Sequence, residues 1–285
     1  MSLLESKSVD RNTHRANGPS RPGETRYPPN SAPQLPEPAS ITLSPSRVGR
    51  LLAFIIAGLV LLSLAGQLIR YLAHRPHFRG IEMFNLDVER NIPTYFACLI
   101  LLTASCLLAL ITCHKRRSRH PFQLHWGVLS LIFFIMAADE AISFHEKLIP
   151  PLRAWLNTGG LFYYAWVLPA LLVVAALGLL YRPFLLHLSR RPRRLIVLSA
   201  SIYLTGALAL EMIGGAYAHI HGQNNLAFNL LVTIEETLEL AGIALFIYTL
   251  LDFMAQVHMP IRIIVLPARP HPVPPAPDTT TLTDT

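Results

Sequence analysis

The chain has 285 residues, 52% of them hydrophobic and only 14% charged, with a mean hydropathy of +0.41. That balance excludes an ordinary water-soluble domain. Lys and Arg number 24 against 17 Asp and Glu, a formal net charge of +7, but the basic residues cluster between long apolar runs, which points to membrane topology and away from nucleic acid. Cys98, Cys106 and Cys113 lie in or beside one apolar run with no CxxC spacing, so neither a disulfide framework nor a thiol redox centre is expected.

Residues 1–46 hold eight prolines with Ser, Asn and Arg between them. Such a segment cannot bury enough surface to offset its ordering entropy, and a disordered cytoplasmic tail is expected. No apolar stretch directly follows a short basic start, so no cleaved targeting segment is expected. Residues 47–258 form the membrane domain. Six apolar runs there approach the roughly 20 residues that a spanning helix needs: 49–72, 93–113, 124–147, 161–181, 195–217 and 227–253. Pro93 suits a first helical turn, while Pro121 and Pro183 punctuate connections. The third run extends through Lys147 to Pro150-Pro151, where a helix should stop. Gly222 and Asn224-Asn225 mark a tight turn before the sixth run. Residues 259–285, with seven prolines, form a second disordered tail. The fold class is therefore an all-α polytopic membrane bundle of six transmembrane helices.

Counting cations sets the expected orientation. With the N-terminus inside, the inner flanks carry thirteen Lys and Arg, among them Arg47, Arg50, Lys115, Arg116 and Arg190, against six on the outer flanks. Both termini are expected in the cytoplasm, with the protein in the inner membrane.

Helices three, five and six carry Asp139, Glu140, Glu211, Glu235, Glu236 and Glu239 with no Lys or Arg inside those spans. A charge near the bilayer centre costs about 2.5 to 3.5 kcal/mol on insertion scales, so these acids need compensation. At 1.5 Å per residue, Asp139 and Glu211 stand roughly 24 Å above the inner ends of their helices and Glu235 roughly 30 Å. All reach the outer leaflet. His145 and Glu146 top helix three, His219 and His221 top helix five, and Asp87 and Glu89 precede helix two on the same side. Ser143 shares a helix side with Asp139 and Glu146, and Glu235, Glu236 and Glu239 share an arc of about 100°. Gly242 and Gly215 would allow close helix approach. Tyr163, Tyr164 and Trp166 read as an interfacial belt at the outer end of helix four, and Trp126 likewise at the inner end of helix three.

Two compensations are open: carboxyls that share protons in hydrogen-bonded pairs, or a cation held by carboxylate oxygen and imidazole nitrogen. The second ligand set suits a divalent metal, zinc or iron. Its candidate ligands are Asp139, Ser143, His145, Glu146, Glu211, His219, His221, Glu235 and Glu239, with Glu140 or Glu236 as a spare catalytic carboxylate.

The strings FNLDVERNIPTYF, ADEAISFHEKL and TIEETLELAGIALF resemble motifs of a group of uncharacterised bacterial multipass membrane proteins over about residues 50 to 255. Asp139 with Ser143-Phe144-His145 is similar, more weakly, to the ligand set of the alkaline-ceramidase-like intramembrane hydrolases, and that resemblance implies zinc-dependent hydrolysis. The leading expectation is a metal-dependent membrane enzyme, hydrolytic or redox, acting on a lipid-soluble or outer-surface substrate among membrane lipids. The alternatives are a proton- or cation-coupled transporter using the same carboxylates, and a structural or sensory subunit.

Overall fold

The computed structural model describes residues 39–72, 79–259 and 262–265. In chain order the helices are α1 (Pro45–Leu72), α2 (Arg79–Glu82), α3 (Ile92–Arg117), α4 (Gln123–Ile142), α5 (Phe144–Leu156), α6 (Val167–His187), α7 (Arg190–Leu204), α8 (Glu211–His221) and α9 (Leu226–Gln256). A six-residue π turn, Thr205–Leu210, joins α7 to α8 into one span. That span, with α1, α3, α4, α6 and α9, makes six helices long and apolar enough to cross a membrane. The proline-rich tails fall mostly outside the described residues. Two short stretches of them, β1 (Ala39–Thr42) and β2 (Arg262–Val265), pair as a ribbon.

Local chemistry explains the starts of α3 and α9. Asn91 caps α3, its side chain accepting from the Thr94 N–H at 3.2 Å, and Pro93 occupies the first turn, where no N–H is required. Asn225 caps α9 in the same way, accepting from Phe228 at 2.9 Å, after Gly222 turns the chain with φ +73.

Three expected boundaries shift. The third run does not continue to the prolines: it ends at Ile142, because Ser143 adopts a left-handed backbone (φ 51, ψ 49). A separate helix, α5, then carries Pro150 and Pro151 within it. The fourth run begins at Val167 rather than 161, preceded by a 3-10 turn at Gly160–Phe162, and it passes through Pro183 to His187. The fifth run is interrupted by the π turn.

The long helix α9 packs against α1, α3, α7 and α8, and α3 packs against α4. Leu108, Ile111, Leu240, Ile247 and Leu250 form the centre of that packing. Outward residues such as Phe54 and Leu172 stay exposed, which suits a bundle surrounded by lipid. Ser105 and Ser130 tie α3 to α4 reciprocally, each hydroxyl donating to the other's carbonyl at 2.8 and 2.9 Å.

One end of the bundle is basic. Lys115, Arg116, Arg117, Arg190 and Arg191 gather there, and Arg191 pairs with Asp252 at 2.9 Å. Trp126 is not an interfacial residue at this end: it is 1% exposed, held between the rings of Phe184 and Phe253 at 5.0 Å from each. The opposite end carries the acids. A buried polar knot supports it, in which Gln67 donates to Thr233 (2.8 Å) and Asn85 (3.3 Å) and the Leu86 N–H donates to Ser63 (3.1 Å). The knot pins the loop before α3 onto α1 and α9.

Candidate functional site

The break at Ser143 builds the first element of the site. The Ser143 N–H donates to the Asp139 carbonyl at 2.6 Å, closing α4. The Asp139 carboxylate then accepts from the His145 N–H (3.0 Å) and meets the His145 ring Nδ1 (2.6 Å), so it closes one helix and starts the next. Burial disfavours the His145 imidazolium. The hydrogen bond and charge of Asp139, with Glu146 and Glu211 nearby, outweigh it and hold the imidazole up at about 9. Ser143, itself buried, donates its hydroxyl to Glu89 at 2.9 Å and so links the break to the loop before α3. Burial raises Asp87 in that loop to about 6, against the opposing charge of Arg70.

Helices α8 and α9 supply the second element. The Trp166 indole donates to Glu211 at 2.8 Å, and the Glu211 and Glu235 carboxyls lie within hydrogen-bonding reach of each other. The Tyr203 hydroxyl lies near the Glu239 carboxyl. This proximity depends on two glycines. A Cβ on Gly206 would stand 2.7 Å from the Glu235 carbonyl and 2.9 Å from Glu239 Cγ, and one on Gly242 would stand 2.7 Å from the Tyr203 nitrogen. Gly242 thus permits the close helix approach read from the sequence. Gly215 faces the ring of Tyr164 instead of another helix.

Both elements line one cavity of about 950 Å³ bounded by α4, α6, α7, α8 and α9. Asp139, Glu140, His145, Glu146, Glu211, Glu235, Glu236 and Glu239 all reach its wall, joined by Asp87 and Glu89. Nine acids therefore share the cavity with a single described Lys or Arg, Arg70. Below them the wall is apolar, through residues such as Ile132, Phe133, Val174 and Phe246.

Three candidates stand apart. Ser143 touches the site only through Glu89. His219 accepts the Gly160 N–H at 2.8 Å and stacks on Tyr163, and His221 lies against Tyr217; both are exposed and neither lines the cavity. Among the described residues no group of three or more His, Cys, Asp or Glu is arranged ready to hold a metal ion. Three of the acids are instead hydrogen-bonded to other side chains, Asp139 to His145, Glu89 to Ser143 and Glu211 to Trp166. Trp166, Tyr164, Tyr203 and Arg70 belong to the wall, which no motif or spacing in the chain indicates. A tryptophan at a helix end reads as an interfacial anchor whichever way its nitrogen points, and no spacing rule distinguishes the two.

A family model described as Domain of unknown function (DUF8692) matches residues 51–253. The chain belongs to this family. The match takes in five of the six membrane-competent helices nearly whole and every acid that lines the cavity. No curated protein and no solved structure matches the chain. The likeness to alkaline-ceramidase-like hydrolases therefore gains no support from relatives.

Proposed function

We propose that this protein is a membrane enzyme that holds a divalent metal ion, zinc or iron, in its acidic layer and acts on a lipid-soluble substrate lodged in the same cavity. One observation carries the reading: a single cavity of about 950 Å³ joins nine acids and a histidine at one end to an apolar wall below. Substrate pockets of about 300 to 1,000 Å³ with a few polar groups over an apolar lining are the usual form of small-molecule sites.

The donors present suit such an ion in chemical type. The His145 Nδ1 is occupied by Asp139 at 2.6 Å, which leaves Nε2 as the donor nitrogen; a carboxylate behind a ligating imidazole is the common way to fix its tautomer and aim. Glu146, Glu211 and Glu235 line the same wall and can supply oxygen donors. A bound ion of this kind would acidify a coordinated water or, as iron, exchange electrons. The protein's own groups do the rest. Glu140 and Glu236 can accept a proton from a reacting group, Trp166 holds Glu211 in place, and the apolar wall excludes water.

The cation asymmetry supports placing both tails in the cytoplasm and the acidic end at the outer face of the inner membrane. A conduit would need the polar wall to continue to the basic end, where Phe122, His125, Trp126, Tyr181 and Phe184 pack together instead.

Elemental analysis of detergent-purified protein, paired with a proteoliposome cation-flux assay, tests the reading. Metal in the parent that is lost from both His145→Ala and Glu235→Gln, with no flux, is the expected result. Metal-free parent protein that carries cations would overturn it in favour of a transporter.

A further inference from the structure

α6 is attached to the bundle at its two ends. At the acidic end Trp166, which begins it, donates to Glu211 at 2.8 Å. At the basic end the Tyr181 hydroxyl donates to the His125 carbonyl at 2.9 Å and the Phe184 ring meets Trp126 at 5.0 Å. Its only buried residues are Val167 and Phe184, near those ends, and facing α4 is buried only at Trp126 and Ala137. Between these contacts lies the apolar part of the cavity. Packed interiors seldom leave voids much larger than a water molecule, so an apolar space of this size at membrane depth calls for an occupant.

Its dimensions describe that occupant. From the level of Glu236 to that of Phe246 on α9 is roughly 15 Å, and from Glu211 to Ile196 along the fifth span roughly 22 Å, at 1.5 Å per residue. One leaflet of a bilayer core is about 15 Å deep. The lower end is closed by Phe184, 1% exposed, which has a second space behind it. Its ring lines both the large cavity and a small pocket of about 140 Å³ that also touches Trp126, His187 and Phe253. Phe184 is a partition between two spaces. Higher up, a Cβ on Gly178 would meet nothing within 4 Å, although this glycine lines the cavity.

We infer that the cavity takes one hydrocarbon chain of about leaflet length, entering sideways from the membrane between α4 and α6 with its polar head at the acidic layer, and that Phe184 sets the longest chain accepted. The substrate class is a long-chain amphiphile. This rests on the proposed function in taking the cavity as the substrate site, but chain binding can be read without metal or turnover.

The experiment uses detergent-purified full-length protein with Trp155→Phe, which keeps Trp166 in its hydrogen bond to Glu211 and leaves Trp126 as the reporter beside Phe184. A homologous series of straight-chain fatty alcohols, brominated at the last carbon, is titrated against its fluorescence. Affinity should fall at least about tenfold once the chain exceeds a limiting length, the scale of forcing extra methylenes into a filled site. Phe184→Ala joins the small pocket of about 140 Å³ to the cavity and should lengthen the limit by a few carbons. Phe184→Leu, a milder change should the alanine variant not fold, should lengthen it by less. Gly178→Phe fills open space and should shorten it. The same limit in all folded variants would overturn the inference, as would absence of quenching at every length. So would native mass spectrometry that finds a second copy of the chain covering α6 in place of bound alcohol. A length limit that persists in metal-free His145→Ala protein upholds the chain site whatever becomes of the metal, whereas metal-dependent turnover with no length limit upholds only the enzyme.

Discussion

Replacing Gly242 with alanine places a methyl group 2.7 Å from the Tyr203 nitrogen, 2.8 Å from its Cβ and 2.9 Å from its Cα. Two of these atoms are backbone, so no side-chain rotation relieves the contact. To restore an ordinary separation of 3.4 Å, α7 and α9 must part by about 0.7 Å along their crossing. Overpacking of this kind costs about 1 to 3 kcal/mol, offset in part by the roughly 0.5 to 1 kcal/mol by which alanine outperforms glycine inside a helix. Gly58 in α1 provides the control, because a Cβ there meets nothing within 4 Å and only the favourable contribution applies. Gly58→Ala should therefore be neutral or stabilising and Gly242→Ala destabilising, about 2 kcal/mol apart. At about 2 to 4 °C per kcal/mol, thermal unfolding in detergent followed by circular dichroism should separate the two by about 4 to 8 °C. A Gly242→Ala protein that unfolds at or above the temperature of Gly58→Ala would refute the close crossing, and with it the geometry that brings Tyr203 to Glu239.

Ser143 offers a test of sign: its left-handed backbone favours glycine, while its hydroxyl donates to Glu89, so Ser143→Ala should be about 1 kcal/mol less stable than Ser143→Gly, both lacking the hydrogen bond, as denaturation of the two variants will show. For His145 the folded-state value of about 9 exceeds the usual 6.5, so the Asp139 pair stabilises the metal-free protein fully below pH 6.5 and the contribution disappears as pH rises through about 9. Unfolding temperatures across that window should decline in the parent and stay flatter in His145→Ala. For topology, a cysteine at Asn224 should react with an impermeant reagent on intact cells, whereas labelling only after membrane rupture would reverse the proposed orientation.

The six spans and the gathering of the acids were legible because both follow from spacing along single helices. Hydropathy marks a span wherever its neighbours lie, and counting residues from a helix end fixes depth. What escaped was set by the backbone or by partners far away in sequence. Ser143 sits amid apolar residues that continue the helical pattern, so nothing in the string announces a left-handed residue there, and α5 was hidden behind it. Asp139 was readable as a buried acid but not as the group that starts α5. The histidines misled in the opposite direction: His219 and His221 share the acids' end of the bundle, yet they lie on α8 beyond the cavity, against Tyr163 and Tyr217. Depth alone does not fix direction.

The π turn between α7 and α8 alters which residues can act together. Tyr203 and Glu211 are eight positions apart, which on an uninterrupted α-helix would set them about 80° from each other around the axis. Within the turn the Glu211 N–H donates to the Gly206 carbonyl, five residues back rather than four, so one residue is absorbed without advancing the helical phase. Glu211 then falls within about 20° of Tyr203, and both face the cavity. The span behaves as two helices in different phase spliced end to end, with the splice at the level of Glu235 and Glu239. Wound as regular α-helix with all its residues, the span would swing Glu211, with everything beyond it on α8, about 100° around the axis and out of line with its indole partner, whereas deleting one residue within Thr205–Leu210 would straighten the helix and keep Glu211 in phase with Tyr203. At its present number of residues, the span cannot be a regular helix and also bring Glu211 into the acidic layer.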